Sequence, residues 1–185
     1  MVVVAGLPRS GTSLVLRMLE AGGLPVLTDR LRQPDADNPR GYYEFEPVKR
    51  TAKDSSWVTL ARGKAVKVVY RLLYELPASD SYRVLFLRRR MSEVYASQET
   101  MLTRGGKPRE PMTEDRFVQV FTEELRRVQD WLGRQPNFAV LEVDYNRLIA
   151  EPRPAAEAID RFLDGGLDLA AMERVVEPGL YRHRG

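Results

Sequence analysis

Val2-Val3-Val4-Ala5-Gly6-Leu7-Pro8-Arg9-Ser10-Gly11-Thr12-Ser13 decides how the rest of the chain is read. Val2–Ala5 predicts a short buried strand, and Gly6 to Gly11 a glycine-bounded loop. Thr12 to Ala21 predicts a helix with Leu14, Met18 and Leu19 on one apolar face, ended by Gly22-Gly23. Four residues separate the two loop glycines, which is P-loop spacing in the strand-loop-helix setting that gives such a match meaning. The N–H groups of such a turn and the helix N-terminus form an anion site. Thr12 stands where a Walker lysine would be, so the loop is poorly equipped to clamp the β- and γ-phosphates of a triphosphate. Arg9 puts a cation inside the loop instead.

Working outward, strand and helix patterns alternate. Pro25–Leu27 reads as a short strand, and Asp29 to Pro47 as a long loop kept ordered by Tyr42, Tyr43 and Phe45. Lys49 to Arg62 predicts a helix with Trp57, Leu60 and Ala61 inward. Strands are expected at Ala65–Tyr70, Arg83–Leu87 and Phe138–Val143. Helices are expected at Ser92–Leu102, from a Thr113 cap to Leu132, and at Ala155–Leu163 and Leu169–Val176. Gly105–Arg109 reads as a helix connection or a lid. The fold class is therefore α/β: a three-layer P-loop-type fold with a central parallel sheet of about four to five strands flanked by helices. In such sheets sites sit at the carboxyl ends of the strands.

The 185 residues fit one domain, 1–185, since domains usually run about 100–200 residues. Hydrophobic residues at 43% and charged residues at 30% exclude a disordered chain, and no apolar run approaches the ~18 residues of a membrane span. Cysteine is absent, which removes disulfides, zinc-thiolate sites and thiol nucleophiles. A single histidine, His183, rules out a histidine-cluster metal site, so no metal is expected. Net charge is only +3, but 24 of the 29 basic residues are arginine, whose fork matches phosphate and sulfate oxygens in pairs. Basic residues are interspersed with acids and few aromatics, which argues against a nucleic-acid partner. Met1 leads straight into the first strand without a signal-peptide pattern, so the expected location is cytoplasmic, with no membrane partner.

Two further stretches carry chemistry. One is Arg88-Arg89-Arg90-Met91-Ser92-Glu93-Val94-Tyr95-Ala96-Ser97-Gln98, after an apolar strand; the other is Ala65-Val66-Lys67-Val68-Val69. Together with Pro8–Ser13 they resemble the sulfotransferases that use 3′-phosphoadenosine-5′-phosphosulfate (PAPS), over Val2 to about Leu163. The resemblance implies that Pro8, Arg9, Ser10, Gly11, Thr12 and Ser13 hold the 5′-phosphosulfate, in the arginine form of that loop. It implies that Arg89 and Ser97, eight residues apart, hold the 3′-phosphate, and that Tyr145 lies near the adenine. About two helical turns bring the serine hydroxyl round toward the arginine.

Lys67 matches a lysine near the transferring group in cytosolic members. Val69 occupies the place of their catalytic histidine, and His183 cannot be aligned to it. The base of an active enzyme must then be another group, and the resemblance to the tyrosylprotein and heparan N-deacetylase/N-sulfotransferases, which use a glutamate, makes a carboxylate the natural replacement. Asp29 and Glu44 are the two candidates, each also readable as a loop residue. The catalytic set is thus Arg9, Lys67 and Asp29 or Glu44. The expected activity moves a sulfuryl group from PAPS to a hydroxyl or amine acceptor. The alternatives are a P-loop small-molecule kinase, which Thr12 contradicts, and a catalytically silent nucleotide-binding module. Leu180–Arg184 reads as a basic tail over the 3′-phosphate or as a frayed terminus. Neither acceptor identity nor oligomeric state is written in these motifs.

Overall fold

A computed structural model describes residues 1–35, 38–104, 112–177 and 179. Gly105–Arg109, Leu180–Arg184 and His183 lie outside the described residues. In chain order the elements are β1 (Val2–Gly6), α1 (Thr12–Ala21), β2 (Val26–Leu27), β3 (Ala65–Val69), β4 (Tyr82–Arg88), α2 (Met91–Arg104), α3 (Glu114–Leu132), β5 (Phe138–Asp144), α4 (Tyr145–Ala150), α5 (Pro152–Phe162) and α6 (Leu169–Arg174).

The five strands form one sheet in the order β2-β3-β1-β4-β5, with every pairing parallel. Alternation along the strands feeds two cores, because successive side chains point to opposite faces. Val3, Ala5, Val66, Val68, Val84 and Phe86 bury against α3 through Phe117, Leu125, Val128 and Leu132. Val4, Ala65, Leu85, Leu87 and Val143 bury against α1, α4, α5 and α6. β1 lies in the middle, and its last residue, Gly6, is level with Val69 of β3 and Leu87 of β4. Three strand ends thus open onto one place.

Thr113 caps α3 as the sequence predicts, its side chain accepting from the Arg116 N–H. Between 49 and 62 the expectation of one helix fails. Two 3₁₀ turns, Glu46–Arg50 and Ser56–Ala61, stand there instead. The Asp54 carboxylate accepts from the Ser56 N–H at 2.9 Å, which offers the backbone a local bond in place of the helical one. The tighter winding turns Trp57, Val58 and Ala61 inward and leaves Leu60 57% exposed. α5 starts earlier than its apolar pattern, at Pro152, a residue suited to a first helical turn. α4 carries no long apolar period; the Asp144 side chain caps it by accepting from the Arg147 N–H at 3.0 Å.

The loop after β2 is held down by its aromatics. The Tyr42 hydroxyl donates to Asp35, Tyr43 donates to Glu20 at 2.7 Å, and Phe45 meets Trp57 edge to face.

Leu85 is fully buried in the middle of β4. Leu85→Ala should cost about 2–5 kcal/mol and lower the melting temperature by roughly 5–15 °C, whereas Thr113→Ala should cost about 1 kcal/mol. Thermal and urea unfolding of the two variants checks the contrast.

Candidate active site

The loop between β1 and α1 is shaped by two left-handed residues, Arg9 (φ 76°) and Gly11 (φ 102°). Arginine pays for that conformation, of order 1–3 kcal/mol. Gly11 could not be anything larger, because a Cβ there would sit 2.2 Å from the Tyr145 ring. At Gly6 a Cβ would come within 2.6 Å of Ser10 Oγ and 3.0 Å of the Leu87 carbonyl. Gly11 occupies the N-cap of α1 with no side-chain cap, so the first N–H groups of the helix face the loop. Ser10 is 1% exposed, and its hydroxyl has no partner among the described residues.

Lys67 stands opposite Val4 in the register, on the α1 face of the sheet. Its Nζ donates to the Tyr42 carbonyl at 3.0 Å and to Ser13 Oγ at 3.3 Å. Burial pushes the ammonium down to about 8, against the pull of Glu44 and with the push of Arg32 and Arg9. The Ser13 hydroxyl also donates to the Tyr42 carbonyl and accepts from Asn38 Nδ2. Strand, loop and helix start are thereby tied to one lysine.

The two carboxylates part company. Glu44 lines the cleft beside Lys67 and pairs with Arg32 at 3.1 Å and Lys49 at 3.3 Å. Asp29 is not among the residues lining it. Its oxygens accept from the Leu31 N–H at 3.0 Å and the Glu46 N–H at 2.5 Å, bonds that pin the loop to itself.

On the other side of β1, Arg89 leaves the end of β4 and donates from Nη1 to the Arg9 carbonyl at 3.0 Å. Arg9 in turn donates from Nε to Ser97 Oγ at 2.9 Å. The Tyr145 ring lies 4.6 Å from the Arg89 guanidinium, against Gly11. Pro8, Arg9, Gly11, Thr12, Ser13, Glu44, Lys67, Arg89, Ser97 and Tyr145 all line one cleft of about 550 Å³. Of the sequence-predicted residues, Ser10 lies beneath it and Asp29 outside it.

Sequence reasoning missed Arg17, Arg32, Arg40, Lys49 and Arg104, which also line the cleft. Arg32 lies 3.3 Å over the Tyr42 ring, and Arg40 forks onto Glu177, which also meets Arg17. The arginine-rich composition was the signal for the four arginines; Lys49 had none. Among the described residues, eight basic side chains face two acids, Glu44 and Glu177, along these walls. The arrangement can hold a ligand carrying several negative charges at separate points. Among the described residues no group of three or more His, Cys, Asp or Glu could hold a metal ion, and no helix is long and apolar enough to cross a membrane.

Comparison with known proteins gives these walls a context. The family model described as "Sulfotransferase domain" matches residues 1–179. No curated protein matches the chain. Among solved structures, the "Sulfotransferase Domain from the Curacin Biosynthetic Pathway" is similar at a TM-score of 0.56 and 16% identity, covering 96% of this chain and 77% of that one. The mouse sulfotransferase SULT7A1 complexed with PAP is similar at a TM-score of 0.53 and 16% identity, covering 95% of this chain and 62% of that one. At that identity the two likenesses speak for the fold. The extent of the family match speaks for descent, and this chain belongs to the sulfotransferase domain family.

Proposed function

We propose that the chain moves a sulfuryl group from PAPS to a hydroxyl or amine acceptor, with Glu44 as the base. The observation that carries this reading is Arg9, whose carbonyl accepts from Arg89 and whose Nε donates to Ser97. The loop suited to a 5′-phosphosulfate and the pair suited to a 3′-phosphate therefore meet in one cleft. The buried, unpartnered Ser10 hydroxyl and the uncapped start of α1 fit an anion at the loop. PAPS, when bound, brings the sulfuryl group and an adenosine bisphosphate leaving group.

The chain's own residues divide the remaining work. Arg9 and Lys67 face the charge that accumulates on the leaving phosphate and the equatorial oxygens, where fixed cations in a shielded cleft act most strongly. Ser13 and the Tyr42 carbonyl fix the direction of the Lys67 ammonium. Glu44 lines the same cleft as Lys67 and acts on its charge, which supports it as the group that takes the acceptor's proton. A P-loop kinase is disfavoured by Thr12 at the Walker position and by the family assignment.

Calorimetric titration tests the nucleotide. 3′,5′-Adenosine bisphosphate should bind, while ADP and ATP with magnesium should bind far more weakly. Ser97→Ala should weaken the bisphosphate about 10-fold or more, the worth of a hydrogen bond to a charged group. Preference for ATP with magnesium would overturn the reading.

Glu44→Gln should lower turnover about 10²–10⁴-fold and leave bisphosphate affinity unchanged. Asp29→Asn should affect loop stability and little else. Equal losses in the two variants, measured by transfer of radiolabelled sulfate from PAPS, would remove Glu44 from its role.

Lys67 carries charge below its value of about 8 and loses it above. kcat/KM should therefore fall as pH rises through about 8, and Lys67→Met should abolish this limb and cost about 10²–10³-fold in rate. Because the folded lysine titrates below its ordinary 10.5, the unfolded chain binds more protons between these values. Stability of the unliganded protein should rise across that window, and the methionine variant should melt higher than wild type at pH 7.

A further inference from the structure

Glu93 is 2% exposed, in the first turn of α2, and faces the end of β4. Its Oε2 accepts from Arg89 Nε at 2.9 Å and its Oε1 accepts from Asn146 Nδ2 at 2.8 Å. Arg90 Nη1 stands 3.7 Å from the same carboxylate. Asn146 is itself anchored, its Oδ1 accepting from the Arg90 N–H at 3.1 Å. A buried carboxylate beside a proposed phosphate site is costly, since it opposes the anion the site is built to hold.

The geometry shows what it does there. Arg89 is held at Nε by Glu93, at Nη1 by the Arg9 carbonyl, and on its guanidinium face by Tyr145. A planar fork held at one edge by a carboxylate cannot rotate about its own axis, and a held fork loses less entropy when it takes up an oxyanion. We propose that Glu93 is a positioning residue that sets selectivity for a 3′-phosphorylated nucleotide over its 3′-hydroxyl counterpart. It acts through Arg89, with Asn146 holding the carboxylate from behind. This rests on the sulfuryl-transfer reading above. The same guanidinium also donates to the carbonyl of the left-handed Arg9 in the loop.

The test compares 3′,5′-adenosine bisphosphate with adenosine 5′-monophosphate by calorimetry on the full chain. The ratio of their affinities isolates the 3′-phosphate. Wild type should favour the bisphosphate about 100-fold, the worth of two charge-assisted hydrogen bonds. Glu93→Gln keeps the shape and removes the charge; it should cut the ratio about tenfold and leave monophosphate affinity within about twofold. Glu93→Asp should restore part of the ratio. In an Arg89→Lys background Glu93→Gln should change the ratio less than about twofold, since its route through the guanidinium is gone. Asn146→Ala, on the outer side of the relay, should lower the ratio about threefold and carries the test should Glu93→Gln not fold. An unchanged or larger ratio in the Glu93 and Asn146 variants overturns the inference and makes the carboxylate a competitor for Arg89. A wild-type ratio near one overturns the nucleotide assignment itself, and is told apart because it precedes any substitution.

Discussion

Arg9 ties the two halves of the cleft together, its main-chain carbonyl accepting from the Arg89 guanidinium and its Nε donating to Ser97 Oγ. That carbonyl is available because Arg9 adopts a left-handed conformation, which turns its peptide toward β4. Gly11 completes the bend, and Tyr145 closes against it where any side chain would collide. The loop is therefore shaped from outside, by residues of β4 and α4, more than by its own preferences. Strain that the loop alone would relax is held by neighbours that are themselves buried.

Lys67 shows the same exchange of stability for chemistry. A valine-rich strand paired on both sides within a sheet would be more stable with another valine, and burying an ammonium there costs free energy. Placing the cation on β3 puts it beyond the reach of thermal wandering, next to the start of α1. The strand contributes stiffness, and the Tyr42 carbonyl and Ser13 hydroxyl contribute direction.

Much of this was legible because it is local. The strand, loop and helix at Val2–Ala21 follow from apolar runs and glycine spacing, and Thr113 announces α3 as a cap. Strand patterns that alternate with helix patterns point to the parallel sheet covered on both faces. What failed was also physical. The 49–62 stretch has helical apolar spacing, but Asp54 offers its own backbone a competing bond, so the winding tightens and Leu60 faces out. Asp29 and Glu44 could not be separated by sequence, since what separates them is a bond from Asp29 to the N–H of Glu46, 17 residues away. Glu93 stands in a basic run with nothing in the sequence to mark it as buried. Only the crossing of β4, α2 and α4 buries it.

The charge along the cleft has a consequence for timing. Eight cations against two acids among the described residues, on low-dielectric walls, focus field lines outward, so a polyanion is drawn in before it makes any contact. Such capture is fast and indifferent to identity, and it weakens over a Debye length of about 8 Å at physiological salt. Nucleotides, inorganic phosphate and sulfated sugars would all be gathered at comparable rates. Discrimination among them then falls to how long each one stays, and residence is governed by the few groups whose geometry is fixed from behind. On the proposed reading, the arginines on the rim would set the traffic, while the buried ones would decide what is kept.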